Sequence, residues 1–132
     1  MRHLVDTNIC SAYLKGVSRV FSKFVQHGGG LAVSTITVGE LYVWALRSRS
    51  PADRLESLQH FLQDITVLDV TTDVAVRFGE LRATLLDSGH PVPPLDLFIA
   101  ATALVHDLVL VTNNVKDFAP VPGLIVVDWL EP

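Results

Sequence analysis

Four carboxylates carry the chemistry that this sequence is able to do: Asp6, Glu40, Asp96 and Asp117. Asp6 directly follows a short apolar run, His3 to Val5, and the segment Asn113 to Asp117 directly follows another, Leu108 to Val111. If both runs are parallel strands, both segments face one cleft, because ligands of open parallel sheets bind outside the carboxyl ends of the strands. Glu40 falls on the helical row Ile36, Glu40, Val43, Trp44, so its neighbours four residues away on either side are an isoleucine and a tryptophan. A charge on such a row needs a partner. Asp96 is the only charged residue between His90 and His106, in the first turn of a helix otherwise composed for burial.

Taken singly, each acid also has a plain structural role. Asp6 can make an Asx turn or cap the helix that follows it. Asp96 can complement a helix dipole, Glu40 can pair with an arginine such as Arg77 or Arg82, and Asp117 can be an exposed loop acid. Together they are harder to explain in that way. Acids on converging element ends repel one another by a few kcal/mol per close pair at an effective dielectric of about 20, and a bound cation removes that repulsion. Oxygen donors without a histidine or cysteine partner favour Mg²⁺ or Mn²⁺ over zinc. His3, His27, His60, His90 and His106 show no paired metal-ligand spacing, and Cys10 is the sole cysteine; all are read as core or surface residues. The sequence has no GxSxG, no phosphate loop followed by Lys-Ser/Thr and no GxGxxG after the first strand.

The elements that must position these acids follow from periodicity. Short apolar runs alternate with stretches of helical spacing, which predicts an α/β fold with a mainly parallel sheet of about five strands. The expected strands are His3 to Val5, Leu31 to Val33, Ile65 to Val70, Leu108 to Val111 and Leu124 to Val127. Helices are expected from about Asn8 to Lys15, with Gly16 as the stop, and from Ser18 to Gln26, where Val20, Phe21, Phe24 and Val25 share a face. Gly28 to Gly30 read as a turn. Thr35 can cap a third helix reaching about Ser48, and Ser50-Pro51 opens a fourth that ends near Asp64. Thr72 and Asp73 open a fifth that runs to Ser88, and Leu95 to His106 forms a sixth, apolar nearly all round and therefore expected between layers.

At 132 residues the chain is the size of one domain, 1–132, able to bury a core without disulfides or structural metal. Its 49% hydrophobic and 18% charged residues exclude a disordered or fibrous chain. The N-terminus has no secretory pattern and the longest apolar stretch is too short and too charged to span a bilayer, so a cytoplasmic protein without a membrane segment is expected. The net charge of -4 argues against simple polyanion binding, but its distribution is uneven. Residues 1–60 hold seven basic and four acidic side chains, and residues 61–132 hold three and ten. A polyanion can thus be gripped from one side only, with Arg47, Arg49 and Arg54 as the densest basic group, although an ordinary solvated helix end has the same composition.

With these positions in place, the chain resembles the PIN-domain ribonucleases, and among them the VapC-type toxins of bacterial toxin-antitoxin pairs. The resemblance rests on four segments in order: LVDTNICSAYLKG (Leu4 to Gly16), VSTITVGELYVWAL (Val33 to Leu46), GHPVPPLDLFIAATAL (Gly89 to Leu104) and LVTNNVKDFAPVPGLIVVDW (Leu110 to Trp129). It implies a three-layer α/β/α PIN-like domain. It makes Asp6, Glu40 and Asp96 the standard acids of the site, with Asn8 and Thr112 as polar neighbours and Asp6 and Asp96 as metal ligands. Many relatives carry an aspartate two residues after the threonine that matches Thr112; here Asn114 stands there, and Asp117 is the nearest carboxylate. The implied activity is Mg²⁺-dependent endoribonuclease action on RNA, transfer or ribosomal, leaving 5′-phosphate and 3′-hydroxyl ends. The implied partners are a small VapB-type antitoxin, a second copy of the chain in a homodimer, and DNA bound by the larger assembly. Two other readings compete. One is a PIN-fold binding module, catalytically weak, that acts mainly in complex with its antitoxin. The other is a phosphatase of the haloacid dehalogenase type, which wants an aspartate at position 8 where this chain has Asn8.

Overall fold

The computed structural model describes residues 2–132. Among them the chain builds one five-stranded sheet from β1 (His3–Val5), β2 (Leu31–Ser34), β3 (Thr66–Leu68), β4 (Val109–Val111) and β5 (Val126–Val127), in the order β3-β2-β1-β4-β5. Every pairing is parallel, with His3 opposite Leu31 on one side and opposite Val109 on the other. A parallel sheet is covered on both faces, and alternate residues of the strands enter two separate cores. Leu4, Ala32 and Leu110 pack into one core, and Val5, Val33 and Val111 into the other.

Seven helices among the described residues supply the two outer layers. The Val5 side is covered by α1 (Thr7–Leu14), α2 (Ser18–Gln26), α3 (Thr35–Leu46) and α4 (Pro51–Gln63), through Ile9, Val20, Leu41 and Leu58. The Leu4 side is covered by α5 (Thr72–Asp87), α6 (Pro94–Val105) and α7 (Val115–Phe118), through Val74, Leu97 and Phe118. This is the three-layer arrangement that the resemblance implies. As its composition predicts, α6 is deeply embedded: Leu97, Ile99, Ala100, Ala101, Thr102 and Ala103 are all buried, and Phe98 stacks on Phe78 of α5 at 3.8 Å. Gly16 and Gly89 follow α1 and α5 at φ +81° and +73°, where a side chain is strained.

Several boundaries differ from the sequence expectation. The first helix begins at Thr7 because Asp6 caps it. The third is capped by Ser34, not Thr35: Ser34 is the last, extended residue of β2, and its hydroxyl accepts from the amides of Ile36 and Thr37. Thr71 likewise caps α5 one residue before Thr72, and Ser50 precedes α4 without a side-chain cap bond. The third and fifth strands are shorter than their apolar runs, and the one-turn helix α7 has no counterpart in the sequence reading.

Candidate active site

The strand order places a crevice at one point of the sheet. From β1 the chain moves outward through β2 to β3, then returns to the other side of β1 as β4 and continues to β5. The reversal lies between β1 and β4, where connections leave in opposite directions and open a cleft at the carboxyl ends. Asp6 follows β1 and Thr112 follows β4, so both stand at that cleft.

Asp6 is 3% exposed and has a donor on each carboxylate oxygen. Its Oδ1 accepts from the Thr7 amide at 2.8 Å, which caps α1, and its Oδ2 accepts from the Thr112 hydroxyl at 2.7 Å. The structural and the chemical reading of this residue therefore hold together. Burial pushes the Asp6 carboxyl above the usual aspartate range; the hydrogen bonds from Thr112 and Thr7 oppose that shift, and the charge of Glu40 adds to it. Thr112 is wholly buried, and its oxygen also accepts from the Asn114 amide at 3.1 Å, so the two sides of the cleft are tied through one hydroxyl.

Glu40 reaches the same place from α3. Its Oε1 accepts from the Thr7 hydroxyl at 2.6 Å, and Thr7 is the residue directly after Asp6. The arginine partners that the sequence allowed are engaged elsewhere or distant: Arg77 lies 3.8 Å from Glu80 of its own helix, and no ion pair joins Glu40 to Arg82 among the described residues. Asp96 lies in the first turn of α6, after Pro94, and is half-buried. Its carboxyl is pushed up to about 6, first by burial and then by the charges of Asp6, Glu40 and Asp117. The charges of Asp6, Glu40 and Asp117 thus all bear on Asp96, and that of Glu40 bears on Asp6. Asn8 Oδ1 accepts from the Asn113 amide at 3.2 Å, bracing α1 against the loop after β4. Asn114 and Asp117 are exposed on that loop and on α7.

Thr7 is the residue that the sequence reading passed over. It sits inside the Asp-Thr-Asn run, but its partner is 33 residues away, and no local spacing announces such a bond. The donor set fits a hard divalent cation. It consists of oxygens only, and no lysine or arginine lies within ion-pair distance of any of the four acids among the described residues. Burial first, and then the like charges, raise the Asp96 carboxyl, and no cationic side chain offsets those charges among the described residues. The acids are near enough to couple but, among the described residues, not drawn into a closed cage of three ligands. No helix among these residues is long and apolar enough to cross a membrane.

The chain is similar to known proteins over nearly its whole length. The model of the PIN domain matches residues 3–124. The chain is 34% identical over 130 residues to the tRNA(fMet)-specific endonuclease VapC of Salmonella typhimurium, covering 98% of each chain. It is 34% identical over 131 residues to ribonuclease VapC2 of Haemophilus influenzae, covering 98% of this chain and 99% of the relative. Among solved structures, DNA-bound VapBC from Salmonella typhimurium superimposes with a TM-score of 0.92 at 34% identity, over 98% of both chains.

Proposed function

Because the chain belongs to the PIN-domain family, and within it to the VapC-type ribonucleases, we propose that it is an endoribonuclease whose activity depends on a divalent cation. The observation that supports this reading is the convergence of the charges of Asp6, Glu40 and Asp117 on Asp96, with no lysine or arginine within ion-pair distance of these acids among the described residues. Asp6 and Asp96 are the residues assigned to hold the ion, Mg²⁺ with Mn²⁺ as a substitute, and Glu40 and Asp117 extend the acidic field around it. When bound, the ion neutralises charge at the phosphate and eases deprotonation of the attacking water.

The chain's own residues supply the rest. Thr112 and the Thr7 amide hold Asp6 in one orientation, so the site is set before substrate arrives. The Thr7 hydroxyl engages one oxygen of Glu40; the other is assigned to orient the attacking water and take its proton. Water adds to phosphorus as it gives its proton to Glu40, the bond to the 3′-oxygen breaks, and that oxygen takes a proton from solvent, giving 5′-phosphate and 3′-hydroxyl ends. Asn8 and Asn114 line the approach, and with Asp117 they are assigned to the substrate side of the site.

The biological role assigned is that of a toxin, a single domain acting in the cytoplasm on transfer or ribosomal RNA and held inactive by a small VapB-type antitoxin. Relatives named VapC endonuclease and neighbours solved as VapBC complexes support the role, and the DNA in one of those complexes supports a larger assembly on DNA; a homodimer is assigned within it. The test is direct. Protein freed of antitoxin should cut RNA with Mg²⁺ or Mn²⁺ and lose the activity in a chelator, and Asp6→Asn or Asp96→Asn should abolish both cleavage and toxicity. Intact RNA under all conditions, with toxicity unchanged by either substitution, overturns the proposal. A binding module without chemistry would also give no heat of Mg²⁺ binding that Asp96→Ala removes.

A further inference from the structure

The geometry points to a strand-gripping platform beside the acids: we propose that Trp44, Arg47 and Arg54, flanked by Arg49, bind single-stranded RNA and lead it to the cleft. This inference rests on the ribonuclease reading above and names the part of the chain that holds the substrate. Glu40, Trp44 and Arg47 stand at positions i, i+4 and i+7 of α3 and its C-terminal cap, so they form one stripe. With a rise of about 1.5 Å per residue, Trp44 lies about 6 Å and Arg47 about 10 Å along the axis from Glu40. The stripe runs from acid to aromatic to base as it leaves the cleft.

Arg54 enters the stripe from the neighbouring helix. It lies in the first turns of α4, and its guanidinium carbon stands 4.4 Å from the centroid of the Trp44 ring. A guanidinium held over an indole face is fixed in place while it keeps its charge and its N–H donors. None of Arg47, Arg49 and Arg54 forms an ion pair among the described residues, where the one such pair is Arg77 with Glu80. The acids nearest in sequence, Asp53 and Glu56, lie about 100° and 160° around α4 from Arg54, so they face elsewhere. Arg47 and Arg49 are exposed, and Trp44 is partly so. Trp44 packs against the core and carries the Arg54 guanidinium over its ring, so the platform offers unpaired arginines that meet phosphates and a guanidinium plane, backed by the indole, on which a base stacks. Three of the seven basic side chains of residues 1–60 lie in this patch. An acidic cleft repels phosphates, and this track is the positive ground next to it.

The test uses full-length Asp96→Asn protein, which holds RNA without cutting it, and a labelled single-stranded oligoribonucleotide. Trp44→Leu, which keeps apolar bulk but removes the indole behind that plane, should raise the Kd about tenfold. Arg47→Gln and Arg54→Gln should each lower the slope of log K against log salt by about 0.7. In the catalytically intact protein the same arginine substitutions should raise KM for long RNA with kcat little changed. Binding should also quench tryptophan fluorescence through Trp44, because Trp129 is buried. Kd, salt slope and KM equal to those of the parent overturn the platform while leaving the ribonuclease reading intact. Substitutions that weaken antitoxin binding but not RNA binding also overturn it and assign the patch to the protein partner. If the parent neither binds nor cleaves RNA, both readings fall together.

Discussion

Replacing Asp96 by asparagine should make the metal-free protein more stable at neutral pH while destroying its activity. The Asp96 carboxyl is raised from the ordinary 3.8 to about 6, and a shift of that size corresponds to roughly 3 kcal/mol at about 1.4 kcal/mol per unit. Because the side chain is only half-buried, solvent screening reduces this to roughly 1–2 kcal/mol. The sign follows from proton linkage. The folded state binds the Asp96 proton more tightly than the unfolded state, so between about 6 and 3.8 the folded chain carries the extra proton. Above pH 6 the wild-type protein bears the full cost of an ionised Asp96; below pH 3.8 it bears none. Asparagine carries no charge at any pH. The stability gain of Asp96→Asn should therefore be complete at pH 8, shrink through pH 6 and vanish near pH 4. Urea unfolding in a chelator, repeated at several pH values, measures it. Added Mg²⁺ should then reverse the order, because binding stabilises the wild-type protein by about 2.7 kcal/mol at a hundredfold excess over Kd and should stabilise the variant far less. A variant that is less stable than wild type at pH 8, or a gain that does not depend on pH, would refute the assignment of repulsion to this carboxyl.

Three further outcomes follow from individual contacts. Thr112→Val deletes the donor to Asp6 Oδ2 at a fully buried position, so it should cost about 1–3 kcal/mol in urea unfolding and push the Asp6 carboxyl higher still, moving the acid limb of the cleavage profile to higher pH. Asp117→Asn removes one of the charges that raise Asp96, so with cation below saturation the same acid limb should move to lower pH; an unmoved limb would exclude Asp117 from the site's field. Cys10 is wholly buried and its thiol is pushed well up, first by burial and then by the charge of Asp6. A thiol reagent should therefore label it only at the rate of unfolding, and fast labelling of the folded protein would contradict that placement.

Most of the scaffold could be read from the residues because period and punctuation agree there. Ser18–Gln26 appears with the expected bounds, since its apolar face is regular and glycines end it. The all-parallel sheet follows from strands that alternate with helices. Boundaries failed where two neighbouring residues can do the same job. Ser34 and Thr35 are both competent caps, and the extended backbone at Ser34 (φ -84°, ψ 158°) decides between them. The third and fifth strands were drawn too long because the apolar residues beside them, Ile65, Val70, Leu124 and Ile125, lie outside the ladder. One turn of helix, Val115–Phe118, is too short for any period to register. The acids were singled out for different reasons: Glu40 and Asp96 as anomalies, a charge on an apolar row and the lone charge of a buried helix, and Asp6 and Asp117 by their place after strands. Thr7 and Thr112 carry no such anomaly. Their meaning lies in partners 33 and 106 residues away, which only folding supplies.

The two acids assigned to the ion are held in opposite ways, and the difference bears on how the site works. Asp6 has donors on both oxygens, from the Thr7 amide and from Thr112, and these offset part of the cost of its burial. A carboxylate has about four lone-pair positions, so two hydrogen bonds still leave room for an ion. The fold itself therefore fixes and charges Asp6. Asp96 has no such support: its shift comes from burial and three like charges, with no hydrogen bond opposing them. Its negative charge is the one the fold leaves uncompensated, and an ion arriving at the cleft gains most of its attraction there. Cation affinity should thus depend on pH through Asp96, whereas the shape of the site should depend on Thr112 and Thr7. Substitutions at the two threonines and at Asp96 are expected to act differently, Thr112→Val loosening geometry and shifting linkage only through Asp6, and Asp96→Asn removing the Asp96 share of the linkage with the geometry intact.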